Sequence, residues 1–267
     1  GTYVISSGYL SIGKSLNLIG ESEAGTIIDA HGASSYGLRV IGGTSDVNLS
    51  DFTLYGVVAA GGYGIKVEDS QNVNITNVTS KGAYKAQIDL NGLRGGTLDN
   101  VTADGTPSAW GSGSTKGAAI AITDSQNILV KNSSTNGGSY GGIAIYQSNK
   151  AGSGYSYQTD NITIAASNTY GEANPVYMED ESATNNFGAV TVEGFDYIAR
   201  NTNPADAYTW FQKTQQGAID IAAAAAGYVE GWLGSAGNNI FTVGYNTAGT
   251  VALSINNAIN AASNGAT

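Results

Sequence analysis

IKVEDSQNVNITN, residues 65–77, holds both elements from which the fold is built. Its first part, Ile65-Lys66-Val67, alternates apolar and polar side chains and ends in the polar turn Glu68-Asp69-Ser70. Its second part, Asn72-Val73-Asn74-Ile75-Thr76-Asn77, alternates in the same way and ends on an asparagine. A period of two over such short runs indicates strands that turn one face inward.

Both parts recur along the chain. The first part recurs in Leu38-Arg39-Val40, Ile88-Asp89-Leu90, Ile120-Ala121-Ile122, Ile143-Ala144-Ile145 and Val176-Tyr177-Met178. The second part recurs in Leu16-Asn17-Leu18, Asp46-Val47-Asn48-Leu49, Leu98-Asp99-Asn100, Asn127-Ile128-Leu129-Val130, Asn161-Ile162-Thr163-Ile164 and Val190-Thr191-Val192. Val47 and Val73 are 26 residues apart, and Val73 and Ile128 are 55 apart, which is two coils. A repeat of this length is typical of a parallel β-helix, whose stacked coils bury a shared interior.

The stacking predicts two columns of particular interest. Val67, Leu90, Ile122 and Ile145 are expected to stack in one interior column. Asp51, Asn77, Asn100 and Asn132 fall at one position of the coil, just past the alternating run. Asn and Asp tolerate a left-handed backbone, and stacked amides can form a hydrogen-bonded ladder. We therefore expect a structural polar ladder there.

The composition excludes several functions. The chain has 267 residues, a net charge of -10 and only 12% charged residues, with 38 glycines. This acidity disfavours binding to nucleic acids and to anionic membrane surfaces. No run of about 18 apolar residues occurs, so we expect no membrane insertion. The absence of cysteine excludes disulfides, Cys-ligated zinc and thiol catalysis. Because the sequence begins Gly1-Thr2-Tyr3, we expect a mature product or a segment of something longer.

The pattern changes near residue 201, which divides the chain into a β-helix (1–201) and a C-terminal cap or linker region (202–267). In the second region, 204–233 and 254–262 are predicted to be helical, with a short strand-like piece at 240–243. Ser254 is a suitable N-cap for the last helix. The expected fold is therefore an all-β parallel β-helix with a helical C-terminal cap region.

A family resemblance is carried by GTYVISSGYLSIGKSLNLIGESEAGTIID (1–29), by the coils to about Asn201 and by SINNAINAASNGAT (254–267). These stretches resemble right-handed parallel β-helix proteins with a pectin-lyase-like fold, and in particular the repeat-bearing surface proteins of bacteria, cyanobacteria among them. In that family a helix like 254–262 precedes the first coil and leads into "GTY", through a further strand that this chain lacks. The resemblance implies a cut through a repeating unit, so that the end of one copy caps the next. It also implies an extracellular or cell-surface location.

The same resemblance implies where catalysis would occur. Pectin-lyase-like enzymes carry their chemistry on the outward face of the first sheet, where this chain has Arg39, Lys66 and Asp89 in consecutive coils. A lyase or epimerase needs a base and cations beside a uronate carboxylate, and these three residues could supply both. The alternative is an exposed ladder of ion pairs with a structural role. Ala121 and Ala144 follow in the column, which favours the alternative.

Other candidate sites are weaker. Glu179, Asp180 and Glu181 offer oxygen ligands to Ca²⁺, the one cofactor that the sequence leaves open. Their spacing matches neither an EF-hand nor the Gly/Asp nonapeptide. The single histidine, His31, is interpreted as a turn residue. Trp110, Tyr155 and Tyr157 lie in the two longest insertions, where they would stack on sugar rings, contact a neighbouring subunit or pack on their own coil.

The sequence favours a non-enzymatic role as a subunit or repeat of an extracellular fibre or adhesin-like surface protein. Copies would join head to tail through the open β-helix ends. The expected contact places Ile255, Ala258 and Ile259 of one copy near Tyr3, Ile5 and Leu10 of the next. Two alternatives remain open: a polysaccharide lyase or epimerase, and a carbohydrate- or ice-binding module. The expected partners are copies of the same chain and, under the alternatives, polysaccharide.

Overall fold

The structure is a computed structural model. It describes residues 1–105, 117–139, 141–147, 157–172, 175–180, 189–193, 197–198, 219–220 and 229–233. Within these residues the secondary structure consists of strands in two sheets. No helix among them has the length and hydropathy that crossing a membrane requires.

Sheet A contains eleven of the described strands. They are β1 (Thr2–Val4), β3 (Leu16–Ile19), β4 (Ile27–Asp29), β6 (Ser45–Tyr55), β8 (Gln71–Lys81), β10 (Arg94–Asp104), β12 (Gln126–Lys131), β13 (Ser134–Asn136), β15 (Asp160–Ile164), β16 (Thr169–Tyr170) and β18 (Val190–Val192).

Sheet B contains the other ten. They are β2 (Leu10–Ile12), β5 (Tyr36–Val40), β7 (Tyr63–Glu68), β9 (Ile88–Asn91), β11 (Ala118–Thr123), β14 (Gly141–Gln147), β17 (Val176–Asp180), β19 (Tyr197–Ile198), β20 (Ile219–Asp220) and β21 (Val229–Leu233).

The chain alternates between the two sheets. From β5 to β18 it passes from sheet B to sheet A and back, and each strand pairs in parallel with its equivalent one coil away. This is the arrangement of a parallel β-solenoid and confirms the predicted all-β fold. Every copy of the first sequence part lies in sheet B, and every copy of the second part lies in sheet A.

The interior column that the sequence predicts is confirmed. Val67 pairs with Leu90, Leu90 with Ile122, and Ile122 with Ile145. All four side chains are fully buried. Burial of one such side chain contributes roughly 1.5–3 kcal/mol, and because each coil buries its residues on the next, the core extends along the whole stack.

The coils differ in length. Successive residues of the same interior column, listed in order, are Val40, Val67, Leu90, Ile122, Ile145 and Met178. Their spacings are therefore 27, 23, 32, 23 and 33 residues. The two long coils carry their extra residues between β10 and β11 and between β14 and β15. The register of the strands is the same on both sides of these connections.

The C-terminal region differs from expectation where it is described. Ile219–Asp220 and Val229–Leu233, within the segment predicted to be helical, are the strands β20 and β21. β21 pairs antiparallel with β17, so the strand that follows β17 in sheet B no longer runs parallel to it. The remainder of 204–233, the strand-like piece at 240–243 and the helix at 254–262 lie outside the described residues.

Candidate functional site

The outward face of sheet B brings the three candidate catalytic residues into one column. Arg39 on β5 pairs in register with Lys66 on β7, and Lys66 with Asp89 on β9. The column continues through Ala121 and Ala144. Side chains of alternate strand residues share a face, so the outward column follows from the inward one.

Lys66 and Asp89 form a buried ion pair. The ammonium Nζ of Lys66 lies 2.5 Å from Oδ2 of Asp89, and the two side chains are only 8% and 7% exposed. The ring of Tyr63 contributes a cation–π contact, with its centroid 5.0 Å from Nζ. The two charged groups therefore contact each other, and little of either one is accessible to a ligand.

The protonation of Lys66 follows from these neighbours. Burial by itself lowers the pKa of Lys66, but Asp89, Tyr63 and Glu68 outweigh that effect and raise the pKa above its ordinary value. Lys66 is therefore an ammonium group near neutral pH. A general base has to be unprotonated when it takes a proton, so Lys66 suits the role of a counter-ion better than that of a base.

Arg39 has a partner that the sequence analysis missed. Its Nη2 lies 2.5 Å from Oε2 of Glu68, and its Nη1 donates to the hydroxyl of Tyr9 at 3.2 Å. Its guanidinium also lies 5.3 Å from the ring centroid of Tyr36. Glu68 lies two residues after Lys66 on the same strand, so its outward direction was available from the alternation of β7. Arg39 and Lys66 thus belong to two separate ion pairs.

Beyond Asp89 the outward face of sheet B becomes apolar. A cluster separate from the interior core consists of Ala86, Ala118, Ala121, Ala144, Tyr146 and Tyr177, all buried, with Tyr63 against it. The sequence placed Ala121, Ala144 and Tyr177 on this face but did not predict their burial. A groove for a charged polysaccharide needs clustered ionisable groups open to solvent, and this part of the face has none of that character among the described residues.

The weaker candidates are placed as follows. Nδ1 of His31 lies 3.0 Å from Oδ1 of its neighbour Asp29. Tyr157 donates its hydroxyl to Asp69 at 3.1 Å, and Arg94 lies 4.6 Å above its ring. Tyr157 therefore packs against its own coils.

The proposed calcium ligands are only partly described. Glu179 and Asp180 end β17, and Glu181 lies outside the described residues, as do Trp110 and Tyr155. Among the described residues no group of three acidic or histidine side chains is placed to hold a metal ion.

The polar ladder lies along the bend of sheet A. Asn77 donates its amide to Oδ1 of Asp51 at 2.9 Å, and Asn100 donates to Asn77 at 2.9 Å. Asn132 instead donates to Asp99 at 2.8 Å. All four ladder residues, Asp51, Asn77, Asn100 and Asn132, have a φ between 51° and 62°. This left-handed backbone favours Asn and Asp over other side chains, which gives the ladder a structural role.

Two further ladders were not predicted. Asn48 donates to Asn17 at 2.7 Å, and Asn74 donates to Asn48 at 3.0 Å. A second set lies at the start of the long strands, where Asn72 donates to Asp46 at 3.1 Å. The sequence signal was present, because both sets repeat at the spacing of the coils, but only the asparagine at the end of each copy stands out from the alternation.

A column of hydroxyl groups was also missed. Thr53, Thr79, Thr102, Ser134 and Thr169 pair in register on the outward side of sheet A. The hydroxyls of Thr53 and Thr79 donate to the backbone and the carboxylate of Glu23, and Ser134 donates to Thr102 at 3.2 Å. The hydroxyls of Thr53, Thr79, Thr102 and Ser134 therefore already have partners within the chain.

The start of the solenoid is the most exposed apolar part of the described chain. Tyr3, Val4 and Ile19 are 64%, 70% and 65% exposed. Ile5 and Leu10 are only partly buried against the core. The predicted partners Ile255, Ala258 and Ile259 lie outside the described residues.

Val4 and Ile19 point outward, in the columns of Asp29 and Ser50, but for the inward-facing residues the exposure reflects position in the stack. Leu16 and Leu18 of β3 are half-buried, whereas their equivalents one coil later, Val47 and Leu49, are fully buried. The first coil therefore offers inward-facing residues that a further layer of protein would cover.

Comparison with protein-family models, with curated proteins and with solved structures finds no match to this chain.

Proposed function

We propose that the chain is a structural subunit or repeat of an extracellular fibre or adhesin-like surface protein, and that copies join head to tail through the ends of the solenoid. The observation that carries this proposal is the uncovered first coil, where the inward-facing Tyr3 is 64% exposed and the inward-facing Leu16 and Leu18 are only partly buried. Exposed apolar groups and unpaired strand edges favour association. A head-to-tail contact is heterologous and propagates into a filament.

The proposal includes finer features of the fold. The solenoid is right-handed and of the pectin-lyase-like type, which agrees with the strong preference of parallel crossovers for the right hand. The C-terminal segment 254–262 forms a helix whose Ile255, Ala258 and Ile259 cover the first coil of the next copy. The spacing of these three residues puts them on one face of a helix.

The outward face of sheet B supports a structural role over an enzymatic one. The candidate base and cations on this face, Asp89, Lys66 and Arg39, are engaged in ion pairs within the chain. For a lyase or epimerase the specific support is limited to the proximity of Lys66 and Asp89. Incubation with pectate or alginate, with and without Ca²⁺, should give no rise in absorbance at about 235 nm, the wavelength at which the unsaturated product of uronate elimination would absorb. A rise that is lost in Asp89→Ala would support the enzyme instead.

The assembly is tested by changing an exposed apolar residue at the first coil. Tyr3→Asp should leave the fold intact, because Tyr3 is 64% exposed, and should weaken association by about tenfold or more, the equivalent of at least about 1.4 kcal/mol. Val58→Asp is the matched control, because Val58 is also an exposed apolar residue (41%) but lies outside the first coil. Light scattering and sedimentation measure the polymer.

Polymer formation by the two variants distinguishes a fibre-forming chain from a monomer. Polymer that is lost in Tyr3→Asp and kept in Val58→Asp supports the fibre. A chain that stays monomeric over the whole concentration range contradicts it. Removal of residues 254–267 should likewise abolish the polymer and leave the coils folded. If the removal unfolds a monomer instead, the segment covers its own chain.

A further inference from the structure

Building on the head-to-tail assembly proposed above, we propose that strands of sheet A, in place of the segment 254–262, cover the first coil, so that sheet A continues from one copy into the next. In this junction β18 of one copy pairs in parallel with β3 of the next, and β16 pairs with β1. The two ends of sheet A fit each other in shape, in register and in side-chain character.

The shape follows from the two halves of sheet A. Left-handed residues at Asp51, Asn77 and Asn100 divide its long strands into a first and a second half. Among the described strands, the first half begins at β3 and ends at β18, whereas the second half begins at β1 and ends at β16.

At both ends of sheet A, one half extends one strand further than the other half. β1 lies one coil before β3, because it pairs with β4, the strand that follows β3 in the same coil. At the other end β16 lies one coil before β18, because β16 follows β15 and β18 pairs with β15. The top of one copy therefore fits the bottom of another with neither a gap nor an overlap in sheet A.

The first half matches residue by residue. Followed through the register, Val190 of β18 lies in the interior column that begins with Leu16, and Val192 lies in the column that begins with Leu18. Leu16, Leu18 and Val192 are only partly buried in the single chain. In the junction each valine would stack on a leucine, as apolar residues do along both columns except at Gly96.

The second half matches more specifically. Tyr170 of β16 lies in the interior column that begins with Tyr3. Between these two tyrosines the column contains only smaller side chains, so a tyrosine stands at each end and nowhere else along it. Thr169 lies in the column of Thr2 in the same way. Stacked aromatic pairs and threonine pairs on adjacent strands are both favourable.

Sheet B sets a condition on the junction. The same step would bring β2 of the next copy to the edge of β17. In this chain β21 pairs with that edge, antiparallel. The two strands compete for one edge, so joining requires β21 to leave it, and weakening β21 should favour the junction.

Engineered cysteines test the register. In the junction Thr191 of one copy and Asn17 of the next are neighbours on adjacent strands, about 4.8 Å apart, which is within the range that a disulfide spans. Within one copy the same two residues are six strands apart, so the bond can form only between copies. The chain has no cysteine of its own. The variant Asn17→Cys with Thr191→Cys should give a ladder of oligomers under oxidising, non-reducing electrophoresis.

The matched control moves one cysteine by one coil. Thr163 occupies the same outward column as Thr191 and is also partly exposed, but in the junction it would lie about twice as far from Asn17, beyond disulfide reach. Asn17→Cys with Thr163→Cys should therefore give no ladder. Both pairs are also made with Glu230→Pro and Gly231→Pro, which remove backbone donors from β21 and should increase the ladder of the first pair.

The ladders formed by the two cysteine pairs test the proposed junction. A ladder from the 17/191 pair that exceeds that of the 17/163 pair, in either background, supports the junction. Equal ladders, or no ladder from the 17/191 pair in both backgrounds, overturn it. If light scattering finds polymer where no ladder forms, the fibre remains and only this register is wrong. If no polymer forms in any background, the head-to-tail proposal itself is wrong.

Discussion

The first coil and the coils above it use the same kinds of inward residue but cover them differently. Leu10 of β2 is partly exposed, whereas its equivalents Leu38 and Ile65 are fully buried. Because a solenoid residue is covered mainly by the coil on either side, position in the stack decides how much a side chain contributes. An identical substitution should therefore cost much more in the middle than at the start.

The largest difference is expected from a charge in the interior column. Ile122→Asp places a carboxylate among fully buried side chains, at a cost of several kcal/mol, and should prevent folding. Leu10→Asp puts the same group where water reaches it, and the coils should remain folded. Circular dichroism and urea unfolding measure both. Equal losses for the two variants would contradict the contrast between the middle and the start of the stack.

Breaking the buried ion pair should have the next largest effect. Asp89→Ala leaves the ammonium of Lys66 buried without its partner, which costs about 3–5 kcal/mol. The exposed pair of Lys131 and Asp99, 3.0 Å apart with side chains 38% and 28% exposed, is the comparison, and Lys131→Ala should cost less than about 1 kcal/mol. The double variant Lys66→Met with Asp89→Leu should recover most of the loss. If Asp89→Ala lost as little stability as Lys131→Ala, that result would show that water reaches Lys66.

A smaller effect is expected at the polar ladder. Asn77→Ala removes an amide that bonds to both neighbours and puts alanine at a φ of 52°, at a cost of about 1–2 kcal/mol for the backbone and about 1 kcal/mol for the hydrogen bond. Asn77→Gly keeps the backbone relaxed and should cost less. Asn17→Ala, at the end of its ladder in the first coil, should cost least. Unfolding in urea measures all three, and an Asn77→Gly variant as unstable as Asn77→Ala would assign the cost to the amide alone.

The smallest effect is expected from alkaline pH. The pKa of Lys66 is raised in the folded chain, chiefly because Asp89 and Tyr63 outweigh the effect of burial. Its contribution to stability is therefore complete below the unfolded value of about 10.4 and is lost as the pH rises through the folded value. The free energy of unfolding of the parent chain should fall relative to Lys66→Met with Asp89→Leu only above that pH. A difference that already changes between pH 5 and 9 would contradict the assignment.

The sequence predicted the strands and their register because both depend on a period of two and on the coil spacing. Val67, Leu90, Ile122 and Ile145 occupy adjacent strands as expected, and the outward column followed at once. The partner of Arg39 could not be chosen in the same way, since Glu68 lies on that face one strand away and Asp89 two strands away, with Lys66 between Arg39 and Asp89. Side-chain length and local packing decide that choice, and neither is visible in a pattern of alternation.

The burial of side chains on the outward face of sheet B could not be predicted from the sequence, for a different reason. Ala144 is fully buried, although it points away from the core that the alternation defines. Alternation predicts which way a side chain points and carries no information on what lies against it. The expectation of a helix through 204–233 failed at β20 and β21, where intrinsic preferences yielded to pairing with an available edge.

The unequal coil lengths have an evolutionary consequence. Coils of 23 and 33 residues stack in the same register, so the connections after β10 and β14 absorb the difference without moving a strand. Lengthening a loop costs only about 0.6 kcal/mol for each doubling, far less than the disruption of one interior residue. Insertions at these two connections are thus nearly neutral to selection, and descendants of this chain can acquire new surface loops there while the stack that carries them stays unchanged.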